Sequence, residues 1–274
     1  MTHSKSTSFN SNAPALSVLL PIRPHPVDLG RVLRSINSQS FDNWEIVVLL
    51  DRDDGSNKNT VIEKISCERI VFVDVDISLE GFAGALNRGV GYCNGEYIAR
   101  CDDDDLSAPT RFEQQVRILE SNPLVAVVTG WAEVVNTCGT LIRVIQHPTE
   151  PVQLMHALCK SNIFPHSATT FRKDAFIESG GYQKGMDGCE DYELWLKMAT
   201  KGELASTGTY LISYLDNPEG MSRWKLEKHQ LKEIRIAQRR LLKRLRVPFL
   251  LREINIGVSR IERVGAKLKS RLSF

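Results

Sequence analysis

A chain of 274 residues, 42% hydrophobic and 25% charged, has room for one large α/β domain with an appendage or for two small ones, in the composition of an ordinary globular protein. No apolar run approaches the roughly 20 residues that span a bilayer, and the polar start MTHSKSTSFNSNAPA lacks the apolar core of a secretory signal, so residues 1–14 read as a loose tail. The net charge of +2 conceals a division: residues 221–274 hold 16 Lys/Arg against 4 Asp/Glu, a local net of +12, which leaves residues 1–220 at −10.

In chain order, residues 16–22 (LSVLLPI) read as a buried strand punctuated by Pro21 and Pro24. Leu29, Val32, Leu33 and Ile36 then fall at i, i+3, i+4 and i+7, one face of a helix. Residues 44–50 (WEIVVLL) make a second strand that runs into the turn-rich stretch DRDDGSNKN. A helix around 60–66, a strand at 69–75 and a short helix within 81–94 lead to a strand at 96–101, which delivers Asp102-Asp103-Asp104-Asp105. This alternation argues for a parallel sheet with helices on both faces. Thr110 to Glu113 match a capping box, with Phe112, Val116 and Leu119 as the buried stripe of the helix that follows. Residues 124–131 form another apolar strand. The pattern over 132–171 is less regular, with strand-like LIRVI and FPHSATTF around a short helix at 151–160. A helix from Glu190 ends at Gly202 with Lys201 in its last turn. Residues 222–246 form a long helix with Leu231, Ile234, Leu241 and Leu245 on one face and Arg239, Arg240, Lys243, Arg244 and Arg246 crowding the rest. Pro248 interrupts it, and a second basic amphipathic stretch follows.

Six cysteines without metal-ligand spacing suit reduced thiols in a cytosolic protein. The acidic run carries more chemistry. Four successive carboxylates at the end of a buried strand raise one another's pKa, and a divalent cation relieves the repulsion. In open α/β sheets the C-terminal ends of strands are where ligands bind, and hard oxygen donors suit Mg²⁺ or Mn²⁺ completed by substrate phosphates. The alternative is a solvated acidic turn. An EF-hand is excluded, since DDDDLSAPTRFE lacks the central glycine and the alternating ligand spacing.

GEYIARCDDDDLSAPTRFEQQ resembles the central signature of the family 2 glycosyltransferases. LSVLLPIRP is similar to that family's first strand, FDNWEIVVLLDRDDGS to its second strand and nucleotide loop, and GFAGALNRGVGYCNGEYIA to the helix before the acidic motif. Downstream, FPHSATTFRKDAFIESGGYQKGMDGCEDYELWLKMATKG resembles the acceptor half. The resemblance runs over about residues 15–215. It implies a GT-A fold, a Rossmann-like, mostly parallel sheet flanked by helices. The nucleotide-sugar half would span 15–106 and the acceptor half 107–220, with a basic helical extension over 221–274.

The resemblance further implies inverting transfer of a sugar from a nucleotide diphosphate donor, a UDP-sugar by preference, to a hydroxyl of a glycan or lipid-linked acceptor, with Mn²⁺ or Mg²⁺. Asp102 and Asp104 match the metal-binding acids of the DxD motif, Asp103 takes the variable position and Asp105 the acid that follows. Pro21, Asp51 and Asn87 fall on the donor side. The usual acid pair after the second strand is interrupted here, so Asp53 and Asp54 compete with Asp51. Asp191 matches the general base, the one group a direct displacement with inversion requires, with Glu190 orienting the site. His166 matches a histidine near the sugar, against a structural role. Arg100 balances the acidic cluster or contacts substrate.

The basic tail suits peripheral contact with an anionic membrane through 222–271, on the cytoplasmic face of the inner membrane; the alternative is a helix packed on the domain. Nucleic acid is not an expected partner, since the tail is nearly free of aromatics. Two rival readings are a metal-dependent nucleotidyltransferase, which would need the Gly-rich loop that LSVLLPIRPHP lacks, and a cation- or sugar-binding module without catalysis.

Overall fold

The computed structural model describes residues 13–52, 56–216 and 226–247. Its first half runs β1 (Leu16–Ile22), α1 (Leu29–Asn37), β2 (Trp44–Asp51), α2 (Ser56–Lys64), β3 (Ile70–Val75), α3 (Ile77–Glu80), α4 (Phe82–Tyr92) and β4 (Tyr97–Arg100). The second half runs β5 (Leu106–Ser107), α5 (Arg111–Ser121), β6 (Val125–Val135), β7 (Leu141–Ile145), α6 (Pro151–Lys160), a 3₁₀ turn (His166–Ala168), β8 (Thr170–Arg172), α7 (Lys173–Glu178), α8 (Glu190–Met198), β9 (Glu203–Leu215) and α9 (Lys228–Arg244).

Every residue of β1 and β2 is buried, because helices cover both faces of the sheet there. Successive side chains part to opposite cores. Leu16, Val18, Leu20 and Ile22 join Val32, Leu33 and Ile36 of α1 and Phe112 and Val116 of α5 on one face. Leu19 meets Leu86 of α4 and the buried side of α8 on the other. β3, β2, β1 and β4 are all parallel neighbours, so β1, β2 and β4 deliver Ile22, Asp51 and Arg100 to the same edge of the sheet. β1 pairs with β4 only from Leu16 to Leu19, so Pro21 lies beyond that ladder and no bond to β4 is lost through its missing N–H.

Beyond β4 the sheet becomes mixed. β8 lies antiparallel between β4 and β6, and β9 runs parallel to β6. The order is β3-β2-β1-β4-β8-β6-β9-β5, with β7 paired to β6. Gly95, in the turn before β4, is required by packing: a Cβ there would stand 2.6 Å from the Ser17 backbone nitrogen.

Three local expectations fail. The helix expected over 222–246 starts at Lys228, where Glu227 caps it, and ends at Arg244. Thr110 caps α5 without a side-chain bond: its hydroxyl accepts from Gln114 Nε2, and Ser40 Oγ donates to Glu113 at 2.6 Å, so the reciprocal box never closes. α8 stops at Met198 rather than Gly202; Gly202 is instead a point of close approach, where a Cβ would meet Ala126 and the Leu124 carbonyl.

α9 lies on the domain, with Ile234, Ala237, Leu241 and Leu242 in the same core as α8. Leu231 and Leu245 are only half-buried, while Arg239, Arg240, Lys243, Arg244 and Arg246 are exposed. The second basic stretch, after Pro248, lies outside the described residues. Among the described residues no helix is long and apolar enough to cross a membrane.

Candidate active site

The edge where β1, β2 and β4 end opens into a cleft of about 950 Å³. Its walls include Pro21, Arg23 and Asp51 from the parallel half, Asp102 to Asp104 from the acidic loop, and Asn162, His166, Glu190 and Asp191 from the second half.

The four consecutive carboxylates have four different sets of partners. Asp102 accepts from Arg100 Nη2 at 2.6 Å, and the fully buried Arg100 also lies over the Phe82 ring at 5.6 Å. Asp103 accepts from the Arg23 backbone N–H at 2.8 Å, from its Nε at 3.0 and 3.1 Å, and from its Nη2 at 2.5 Å. Asp104 takes the same Nη2 at 2.5 Å. Burial and then the charge of Asp102 push the Asp104 carboxyl up to about 6, despite Arg23. Asp105 turns away from the cleft: its oxygens accept from Ser167 Oγ and, at 2.9 Å, from the Leu215 backbone N–H. Burial, Asp102 and Asp104 raise it well above the carboxylate range, so it ties the loop to β9 and the 3₁₀ turn rather than supporting the site directly.

The loop is also held from beneath. Arg111, wholly buried at the start of α5, donates to the Arg100 carbonyl at 2.7 Å, the Thr169 carbonyl at 3.2 Å and Ser107 Oγ at 3.0 Å. A buried guanidinium that satisfies carbonyls on both sides of the loop fixes where the carboxylates emerge. Arg111, two residues after Pro109, thus anchors the acidic loop to the start of α5.

Across the cleft, Glu190 and Asp191 open α8 and receive unequal support. Asp191 is half-buried and accepts from Asn162 Nδ2 at 2.8 Å and the Tyr192 N–H at 2.6 Å. Glu190 is 4% exposed and accepts from backbone N–H groups alone, that of Gly188 at 2.6 Å and its own. Burial, followed by the neighbouring Asp191, pushes Glu190 up to about 8; Asp191 is also raised by burial, but its two donors work against the shift. Burial thus pushes both carboxyls up, Glu190 with backbone donors alone and Asp191 with the Asn162 side chain working against the shift. His166 lines the cleft, shares a 2.8 Å hydrogen bond with the Tyr182 hydroxyl, and is held well below its usual range by burial and then Arg100. A neutral imidazole forms no ion pair with Glu190, 3.9 Å away.

Asp51 reaches the cleft, accepting from the Ile77 N–H at 3.1 Å; Asp53 and Asp54 lie outside the described residues. Asn87, expected on the donor side, is not among the residues lining the cleft. Its side chain donates to the Tyr182 carbonyl at 2.7 Å and accepts from the Tyr182 N–H at 2.9 Å. Gly180 and Gly181 both adopt positive φ (81° and 66°), and a Cβ on Gly181 would fall 2.7 Å from Asn87 Oδ1. Asn87 is thus a clamp on the Gly-Gly-Tyr turn, both halves of its amide committed to backbone. Arg23 and Asn162 were also unread: nothing in their local sequence shows that each meets a carboxylate of the cleft, 80 and 29 residues away in the chain.

The donor set fits a divalent cation. Asp102 and Asp104 are hard oxygen donors facing one space, each already in contact with a guanidinium that stands where positive charge is wanted. Among the described residues no three His, Cys, Asp or Glu side chains group as a fuller ligand set.

The acidic loop and the acid pair at the start of α8 thus face each other across one cleft at the C-terminal ends of β1, β2 and β4. Residues 17–180 match the model of "Glycosyl transferase family 2", and the chain belongs to that family. It is 30% identical over 197 residues (68% of this chain, 70% of the relative) to the amylovoran biosynthesis glycosyltransferase AmsE of Erwinia amylovora. It is 28% identical over 199 residues, 71% of each chain, to the UDP-Gal:alpha-D-GlcNAc-diphosphoundecaprenol beta-1,3-galactosyltransferase of Escherichia coli. Among solved structures it resembles S. aureus TarS 1–349 in complex with UDP-GlcNAc, with a TM-score of 0.66 at 13% identity over 83% of this chain and 66% of that one. It also resembles the mannosyltransferase PcManGT from Pyrobaculum calidifontis in complex with GDP-Man and Mn²⁺, with a TM-score of 0.58 at 17% identity over 94% and 81%. The fold is the GT-A fold, and the chain is a glycosyltransferase.

Proposed function

We propose that this enzyme moves a sugar, with inversion, from a nucleoside diphosphate donor to a hydroxyl of a glycan or lipid-linked acceptor in surface-polysaccharide assembly. The observation that carries the reading is the unequal acid pair facing the acidic loop. Asp191, half-buried and held by the Asn162 side chain, opens on the same cleft as the carboxylates suited to a diphosphate and its cation. In direct displacement the acceptor oxygen attacks the anomeric carbon while the bond to the diphosphate breaks on the opposite face, and the hydroxyl proton passes to Asp191. Asn162 and the Tyr192 N–H aim that carboxylate; Glu190, whose carboxyl burial pushes up, stands beside it.

Asp102 and Asp104 would hold Mn²⁺ or Mg²⁺, which supplies charge neutralisation at the leaving diphosphate. Pro21 and Asp51 line the donor half. Relatives named for amylovoran assembly and for a diphosphoundecaprenol acceptor support a polymer or lipid-linked acceptor, and neighbours bound to UDP-GlcNAc and to GDP-Man with Mn²⁺ support the donor class. The exposed basic side of α9 suits an anionic leaflet on the cytoplasmic face of a membrane; its apolar side is already taken up by the domain.

The test is a titration with UDP-, GDP- and dTDP-sugars with and without Mn²⁺, followed by calorimetry. Metal-dependent binding of one donor, lost in Asp104→Ala, is expected. A donor affinity indifferent to Mn²⁺ in both proteins would remove Asp104 from the metal, and no binding of any donor would remove the donor reading itself.

A further inference from the structure

Arg23 lies one residue beyond β1, and its guanidinium spans two carboxylates unequally. Asp103 receives four contacts, one of them from the backbone N–H, whereas Asp104 receives only Nη2 at 2.5 Å, a donor shared with Asp103. Asn57 Nδ2 donates to the carbonyls of Arg23 and Pro24 at 3.2 and 3.4 Å, so the backbone is held independently of where the side chain points. The Arg23 side chain is 37% exposed on the cleft, against 5% for Asp103 and 14% for Asp104. Burial works against its charge, but the two carboxylates outweigh burial, so Arg23 leaves Asp104 by competition and never by losing its proton.

We propose that Arg23 is the resident counter-cation of the acidic loop: it occupies Asp104 until a divalent cation takes that carboxylate, and the displaced Nη2, still tethered through Asp103, turns to the diphosphate of the donor. The proposal rests on the nucleotide-sugar reading of the cleft. Charge makes the two events cooperative. Asp102, Asp103 and Asp104 against Arg23 and Arg100 sum to −1 when all are ionised. A divalent cation alone turns the cluster to +1, and an anionic diphosphate then reverses the excess. Without Arg23 the cluster stands at −2; a lone cation is welcomed more strongly, and the filled site is left with no surplus charge for the diphosphate. Arg23 is therefore a positioning residue that weakens the empty site for metal and strengthens the filled one for nucleotide.

The experiment compares the wild-type chain with Arg23→Gln, Arg23→Met and Arg23→Lys, each checked for folding by circular dichroism. Mn²⁺ binding without nucleotide is read from the free-ion signal in electron paramagnetic resonance, and UDP binding at saturating Mn²⁺ from calorimetry. The neutral variants are expected to bind Mn²⁺ alone at least about fivefold more tightly and UDP at least about tenfold more weakly, coupling within the usual range between linked sites. Arg23→Lys, which keeps the charge, is expected to bind Mn²⁺ alone like the wild type. Should Arg23→Met not fold, the Gln and Lys pair carries the comparison. Equal or weaker Mn²⁺ affinity in folded Arg23→Gln overturns the competition. An undiminished UDP affinity in that variant overturns the transfer to the diphosphate. A wild-type chain that takes up Mn²⁺ but no nucleoside diphosphate sinks the donor reading and that second half with it, while the Mn²⁺ comparison still decides the first.

Discussion

Replacing Asn162 by alanine removes one of the two N–H donors on Asp191 and leaves the rest of the site in place. A hydrogen bond to a charged group contributes about 1.5–3 kcal/mol, and the half-open position of Asp191 favours the lower figure because water recovers part of the loss. Since about 1.4 kcal/mol equals one pKa unit, the Asp191 carboxyl should rise by about one unit. The sign follows from the state that is stabilised. Asn162 supports the anion, so without it the proton is retained to higher pH, and a base must have lost its proton to act. Burial raises Asp191 before the change and after it, the Tyr192 N–H still lowers it, and the opposed influences of Asp102 and Arg100 are untouched. The acid limb of the kcat/KM profile should therefore move up by about one unit in Asn162→Ala, with the plateau at high pH little changed. The assay is transfer to acceptor, or donor hydrolysis, from pH 5 to 9. A limb that stays in place, in a folded variant with unchanged UDP affinity, would mean that Asp191 is not the titrating base. Asp191→Asn is the companion measurement: transfer should fall by about 10²–10⁴ with UDP affinity retained.

Glu190, pushed up to about 8, is protonated in the native state over a range where the unfolded chain, near 4.3, has lost the proton. That contribution to stability is full below about pH 4 and is lost as the pH rises towards 8, with Asp105 adding the same sign. The Tm should fall from pH 5 to 8 and fall less steeply in Glu190→Gln; parallel curves would show that Glu190 ionises as it does in water. Asn87→Ala strips both hydrogen bonds from the Tyr182 backbone and should cost about 2 kcal/mol in urea unfolding, with UDP affinity unchanged. A large loss of UDP affinity at full stability would return Asn87 to the donor site.

Much of the site lay open in the amino-acid order because its geometry is local. Asp102 to Asp105 must emerge together once residues 97–100 form a strand, and Glu190 and Asp191 must share the first turn of α8. Continuous apolar runs placed β1 and β2, which are buried on both faces, and helical spacing placed α1 and α5, since burial on one side of a helix imposes a period on its residues. β9, in contrast, was unread: ELASTGTYLISYL is polar in its first half and has no apolar alternation, and it is a strand because it pairs along β6. The tertiary structure also divided the work among four adjacent carboxylates. Asp103 and Asp104 went to Arg23, Asp102 to Arg100, and Asp105 to Ser167 and the Leu215 backbone. It made Asn87 a clamp on the Tyr182 backbone, and it separated Glu190 from Asp191 by unequal exposure and by the Asn162 side chain, which bonds Asp191. The residue types and spacings determined by themselves which groups could act. Which of them are ionised, free and facing one another depends on long-range packing, because burial and hydrogen-bond partners come from segments that meet only in the folded chain.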